Sequence, residues 1–368
     1  MSPIASSPTP APEYGRLDRA LHRIALGSKP VLELSFDIER ARFGRQAAAM
    51  EMRPPVFVTG LARAGTTIIM RLIHGADDFA ALTYRDLPFP LAPNTWSGLS
   101  RKWVRKVDAR ERGHGDGLFH DLDSPEAIEE IFWQLREGAQ FCSEAGLSAH
   151  DPAQETCEDF ETYVRLICLH YGRARYLSKN NNNILRLQAL CESFPGARLI
   201  HPFRDPLAQA MSLWAQHRRA CKLAHEDPFR SAFMRWLGHH EFGAAQRPFL
   251  LPAGEAPEGD PDTPDFWLAT WISVYRHLLE QPADVAQAQL FLDYDRLVTR
   301  DPPLLEGLRE KLALPKPLSA HMLHAPAPRR PDLPVTPHRL DEARAVHAAL
   351  VARSLQVADS HSRSSPRP

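Results

Sequence analysis

The chain has 368 residues, 43% hydrophobic and 24% charged, with 44 basic against 45 acidic side chains and a formal net charge of −1. That balance suits an ordinary globule built as one large domain and gives no global field to gather nucleic acid or an anionic membrane, so any anion site must be local. The five cysteines, Cys142, Cys157, Cys168, Cys191 and Cys221, are scattered without C-x-x-C spacing, which argues against both a disulfide framework and a zinc site.

Met1 to Arg16 is rich in Ser, Pro and Ala and lacks a basic-then-apolar leader pattern, and no apolar run is long enough to span a bilayer. A soluble, cytoplasmic protein is expected. Leu17 to Phe43 carries helical periodicity interrupted at Gly27 and Pro30, which predicts two helices forming an N-terminal arm within residues 1–50. Pro55-Val56-Phe57-Val58 then reads as a strand, Thr59 to Thr67 as a glycine-bearing turn, and Ile68 to Ile73 as a helix. Backbone N–H groups at the start of such a helix face an anion and the helix dipole favours negative charge, so this is a phosphate cradle. The nucleoside-triphosphate version has the form G-x-x-x-x-G-K-[S/T]; here Thr66 stands at the lysine position and the cation has moved to Arg63. Such a loop is poorly suited to ATP or GTP and remains competent for a smaller phosphate-bearing donor.

Ala80 to Tyr84 predicts a second short strand ending at Arg85 and Asp86, and Leu87-Pro88-Phe89-Pro90-Leu91 must be irregular because its prolines cannot serve a ladder. Asp123-Ser124-Pro125-Glu126 predicts a helix start running to about Cys142, and a second helix is expected over Glu158 to Tyr171. Arg175 to Lys179 reads as a strand, Asn180 to Asn183 as turn and cap, Ile184 to Phe194 as a helix closed by Pro195-Gly196, and Ala197 to Phe203 as the next strand. Arg204-Asp205-Pro206 opens a helix through Ser212 to about Arg219. Leu251 to Asp265 is a Pro/Gly/acid-rich loop or lid; Ala288 to Tyr294 predicts the last strand, Pro302 to Leu312 and His338 to Arg353 two helices. The tail beyond Val357 is expected to be disordered. Phe132-Trp133, Trp214, Trp236, Trp267 and Trp271 fall on helical patterns and are assigned to the core.

Strands alternating with helices at this spacing predict an α/β domain with a mostly parallel central sheet flanked by helices, plus extra N-terminal and inserted helices, over residues 1–354 (core 51–325, C-terminal helix 326–354, tail 355–368). Ligands of such sheets gather beyond the carboxyl ends of the strands, where the motifs at Gly60, Lys179 and Arg204 all fall. Arg204 followed eight residues later by Ser212 could grip one more phosphate, which together with the cradle implies a nucleotide with phosphates at separated positions.

With these residues the sequence resembles the sulfotransferases that use 3′-phosphoadenosine-5′-phosphosulfate (PAPS). The family's phosphosulfate loop, P-[K/R]-[S/A]-G-T-T, is matched by Ala62-Arg63-Ala64-Gly65-Thr66-Thr67, and its R-[D/N]-P element with a serine at the same interval by Arg204 to Ser212. The likeness runs from about Pro55 to Leu297 and is greatest to the bacterial branch with an arginine-bearing loop, a form shared with tyrosylprotein sulfotransferases. Ala62 departs from the usual proline and Ala64 from serine, and the R-K-G-x-x-G segment of the cytosolic steroid and phenol enzymes is missing, leaving Arg329-Arg330 as the candidate to close over the adenosine.

The resemblance implies a P-loop-type three-layer fold and sulfuryl transfer from PAPS to a hydroxyl of a small-molecule, glycan or lipid acceptor, without metal. It assigns Arg63, Ala64, Gly65, Thr66 and Thr67 to the 5′-phosphosulfate, Arg204 and Ser212 to the 3′-phosphate, and Lys179 as a second cation on the sulfonyl group. Asp86 is the first candidate for the base that activates the acceptor and His120 the second. Two rivals remain open: a variant P-loop phosphotransferase using ATP or GTP, and a catalytically silent nucleotide-binding member of the fold.

Overall fold

The computed structural model describes residues 15–76, 79–100, 110–111, 119–120, 128–253, 256–323 and 335–355. Its strands are β1 (Arg53–Val58), β2 (Phe79–Ala80), β3 (Arg110–Glu111), β4 (Phe119–His120), β5 (Leu147–Ser148), β6 (Arg175–Lys179), β7 (Arg198–Phe203), β8 (Phe249–Leu250) and β9 (Gln289–Asp293). Five of them form the central sheet in the order β2-β6-β1-β7-β9, every neighbour parallel, so all five carboxyl ends point the same way. In register, Val58 lies beside Lys179 and Ile200, and Phe203 beside Asp293.

The helices are α1 (Arg16–Gly27), α2 (Lys29–Ala48), α3 (Thr66–His74), α4 (Pro93–Ser100), α5 (Glu130–Phe141), α6 (Gln154–Tyr171), α7 (Leu187–Ser193), α8 (Pro206–Glu226), α9 (Pro228–Trp236), α10 (Pro264–Leu279), α11 (Ala283–Ala288), α12 (Tyr294–Leu297), α13 (Pro302–Lys311) and α14 (Pro337–Arg353). Strand alternation divides them into two layers. Val56, Val58, Leu177, Ile200 and Leu292 face one core with α3 and α13. Phe57, Tyr176, Leu199 and Phe291 face the other, with α5, α6, α10 and α14. Both faces of the sheet are covered, as parallel sheets require. Among the described residues no helix is long and apolar enough to cross a membrane.

Two boundaries differ from the sequence reading for a clear local reason. The second strand stops at Ala80 because Thr83 caps a short 3-10 turn over Tyr84–Asp86, its Oγ1 accepting from the Arg85 amide while Asp86 accepts from the Thr83 amide. The helix expected from Ile184 starts at Leu187, since Asn181–Leu185 form a 3-10 turn tied to buried partners described below. The helix start expected at Asp123 lies outside the described residues; the observed helix begins at Glu130. The proline-rich loop before α10 is held down rather than open, with Trp214 and Trp267 donating their indole N–H to Asp262 and Pro261 carbonyls at 2.8 Å each.

Candidate active site

The cradle is built by backbone conformation that only part of the sequence could supply. Gly60 and Gly65 take φ of +135° and +89°, and Arg63 holds +66°, a left-handed value unusual for a side chain. At Gly65 the reason is also steric: a Cβ would lie 2.3 Å from the Tyr294 ring. α3 starts at Thr66 with its first helical bond from the Ile69 amide to Gly65, so the amides of Thr66, Thr67 and Ile68 precede any intrahelical acceptor. These are the groups a helix N-terminus offers an anion. Ala64 is fully buried and Thr66 nearly so, which fixes the loop from beneath.

The second element meets the first directly. Pro206 opens α8, Asp205 caps it by accepting from the Ala208 amide at 2.8 Å, and Ser212 lies two turns on, buried. There its Oγ accepts from Arg63 Nε at 3.1 Å. Arg204 Nη1 donates to the Arg63 carbonyl at 3.4 Å, and its Nε, 3.5 Å from Asp295 Oδ1, makes no hydrogen bond although buried. Two motifs separated by 149 residues therefore share one crevice at the carboxyl ends of β1 and β7. A free helix N-terminus and two guanidinium groups beside it suit an anion.

Lys179 ends β6 beside Val58, at the same edge. Beyond it, the four asparagines turn the chain as expected and are also bolted in place. Asn180 donates to Glu130 and Asn183 to Glu129, both at 2.7 Å; Asn182 donates to the Gly238 carbonyl at 3.3 Å and Asn181 to Glu241 at 3.1 Å. Glu130 in turn forms a fully buried pair with Arg186 at 2.8 Å. Burial pushes the Glu129 carboxyl upward, against hydrogen bonds from Tyr176 and Asn183 that favour the anion.

A family model described as "Sulfotransferase family" matches residues 54–254, more than half of the chain. The chain belongs to the sulfotransferase family. Solved structures similar to this sulfotransferase-family chain include sulfotransferase STF1 from Mycobacterium tuberculosis H37Rv, at 17% identity and a TM-score of 0.46, covering 93% of this chain and 82% of that one. Sulfotransferase STF9 from Mycobacterium avium gives 18% and 0.46 over 93% and 86%, and a sulfotransferase from Alicyclobacillus acidocaldarius 15% and 0.38 over 82% and 94%. No curated protein matches the sequence.

Sequence reasoning missed several residues of this sulfotransferase-family site. Gln209, fully buried, donates to the Ala62 carbonyl at 3.0 Å and accepts from Trp271 at 3.0 Å, tying the cradle to α10. Tyr294 floors Gly65 and stacks beneath Arg204, whose guanidinium carbon lies 5.6 Å from the ring centroid, while Asp295 accepts from the Asp205 amide at 2.9 Å. Their one sequence signal was position, just past the end of the last strand, where ligands of such sheets gather.

Asp86 is only 2% exposed, and its Oδ2 accepts from the Thr83 amide and the Tyr171 hydroxyl, both at 2.7 Å, with His170 Nε2 at 3.6 Å from Oδ1. The side chain of His120 lies outside the described residues. Burial raises the Asp86 carboxyl above the ordinary range, and the Thr83, Tyr171 and His170 contacts offset this in part. The native state therefore keeps this proton to higher pH than the unfolded chain. Its contribution is complete below the ordinary aspartate value of about 4 and is lost as pH rises through the raised native value. Asp86→Asn should accordingly flatten the fall of Tm that sets in as the pH rises above the ordinary aspartate value of about 4. Melts with the same slope in both proteins would refute this.

Proposed function

We propose that the protein transfers a sulfuryl group from PAPS to an acceptor hydroxyl. The observation that supports this reading best is the Arg63–Ser212 hydrogen bond, because it joins the cradle to the Arg204 element closely enough for one adenosine nucleotide to use both. In this reading the amides and hydroxyls of Thr66 and Thr67, with Gly65, Ala64 and Arg63, hold the 5′-phosphosulfate. Arg204 and Ser212 hold the 3′-phosphate, and Lys179 meets the sulfonyl oxygens. The acceptor oxygen attacks sulfur in line with the departing bridging oxygen, on which negative charge grows. Arg63 and the helix amides meet that charge in a crevice where fixed donors act more strongly than in water. Asp86, with its carboxylate turned onto Thr83 and Tyr171, is better suited to hold the end of α6 than to take the acceptor's proton.

The test compares 3′-phosphoadenosine-5′-phosphate (PAP) with adenosine 5′-phosphate by calorimetry in the presence of EDTA. Wild type should bind PAP without metal, and Arg204→Ala should weaken PAP by about 10–100-fold, the worth of a charge-assisted hydrogen bond, while changing adenosine 5′-phosphate little. Equal losses for both nucleotides would reject the 3′-phosphate assignment. Magnesium-dependent ATP binding instead of PAP binding would favour the phosphotransferase, and PAP binding without transfer to any acceptor the silent module.

A further inference from the structure

The loop joining α9 to β8 carries a histidine and a glutamate that the nucleotide reading leaves unused. Gly238 turns it with φ +77°, and a Cβ there would stand 2.5 Å from Glu130 Cγ, so the loop rests on the buried glutamate that also holds Asn180. The Asn182 amide side chain grips the Gly238 carbonyl. This firm seat presents His239 and Glu241 as a pair, Nδ1 to Oε2 at 3.5 Å, with side chains 18% and 12% exposed. Glu241 Oε1 accepts from Asn181, two residues past Lys179 at the strand end. Burial pushes the Glu241 carboxyl up, but the neighbouring His239 and the Lys179 charge outweigh it and hold it below the ordinary glutamate range. It stays an anion.

The same pair lines a recess of about 80 Å³ together with Gln216, Leu223, Met234 and Phe242. That is well above the roughly 10–15 Å³ needed to admit a single water, and leaves room for a small group. Gln216 is one helical turn beyond Ser212 on α8, about 5–6 Å along the axis, and both are buried. Gln216, at one edge of the recess, is thus one turn of α8 from the crevice, and Arg230 and Arg235 line the recess beside the apolar groups.

We propose that His239 and Glu241 are the base pair of the transfer reaction and that this recess holds the compact apolar body of the acceptor alcohol or phenol. The proposal rests on the sulfuryl-transfer reading. As the acceptor oxygen bonds to sulfur, its proton passes to His239 Nε2. The bond from sulfur to the bridging oxygen breaks, and its electron pair leaves on the 5′-phosphate of PAP. Glu241 accepts from Nδ1–H, which orients the ring and stabilises the imidazolium as it forms. His239 is the catalytic residue and Glu241 its positioning residue.

The experiment runs the reaction backwards on the full chain, with PAP and either para-nitrophenyl sulfate or para-methylphenyl sulfate. In that direction His239 must protonate the leaving phenolate, which the poorer leaving group needs far more. Wild type should turn over both. His239→Asn should slow the para-methylphenyl reaction by about 10²–10⁴-fold and the para-nitrophenyl reaction at least tenfold less, with PAP affinity retained. Glu241→Gln should show the same dependence on leaving group at smaller size. Equal losses on both sulfates, or none, would overturn the base assignment, and a wild type that binds PAP yet turns over neither would overturn the acceptor recess. Failure to bind PAP at all would instead reject the sulfuryl-transfer reading and this proposal with it.

Discussion

Arg63→Ala should lower single-turnover sulfuryl transfer by about 10²–10³-fold, the usual loss when one preorganised donor to a developing oxyanion is removed. The structure invests in this residue. Its left-handed φ carries a strain of about 1–3 kcal/mol, and the loop tolerates it because the Arg63 carbonyl accepts from Arg204, the Ala62 carbonyl from Gln209, and Ala64 is fully buried. The Nε–H on Ser212 then aims the guanidinium along the crevice. Ground-state PAP affinity should fall less than the rate, since only the transition state concentrates charge on the bridging oxygen. Arg63→Lys should recover part of the loss, because an ammonium restores charge but cannot reach both Ser212 and the nucleotide with a planar fork. A variant that binds PAP weakly yet transfers at the wild-type rate when saturated would remove Arg63 from the chemistry.

What could be read from the sequence was whatever a short segment encodes by itself. Thr59 to Thr67 declares its turn, its helix start and its anion preference within nine residues, and Arg204 with Ser212 needs only helical spacing to be recognised. The five parallel strands follow from alternation of apolar runs with helical periods, which is also local. Gln209, Tyr294 and Glu241 were illegible because their roles are relations: each touches a partner 60 or more residues away, namely Ala62, Gly65 and Asn181. Asn180 to Asn183 stand between these cases. Their composition announced a turn correctly, but the two buried glutamates that fix it lie some fifty residues earlier, on a helix whose pattern reads simply as core. Asp86 gives the converse case, since its position after the second strand was legible while its occupied carboxylate was not.

Arg186→Met should destabilise the protein by about 3–5 kcal/mol, the cost of leaving one member of a buried ion pair without its counter-charge. Both side chains are essentially sealed from solvent, with the guanidinium donating to both Glu130 oxygens at 2.8 and 3.1 Å and lying over Trp133 at 4.6 Å. In the single variant, among the described residues, only Asn180 would still bond to the Glu130 carboxylate. The double variant Glu130→Leu/Arg186→Met removes the charge as well and should regain most of the stability, as apolar replacements of buried pairs commonly do. It should not regain function. Glu130 is also the acceptor that holds Asn180 one residue past Lys179, so its loss frees the strand end. Urea unfolding and transfer kinetics on the three proteins would separate the two roles. A double variant no more stable than the single one would mean that the pair is indispensable to folding. A stable double variant with full transfer would mean that the buried network supports the core and has no part in positioning the site.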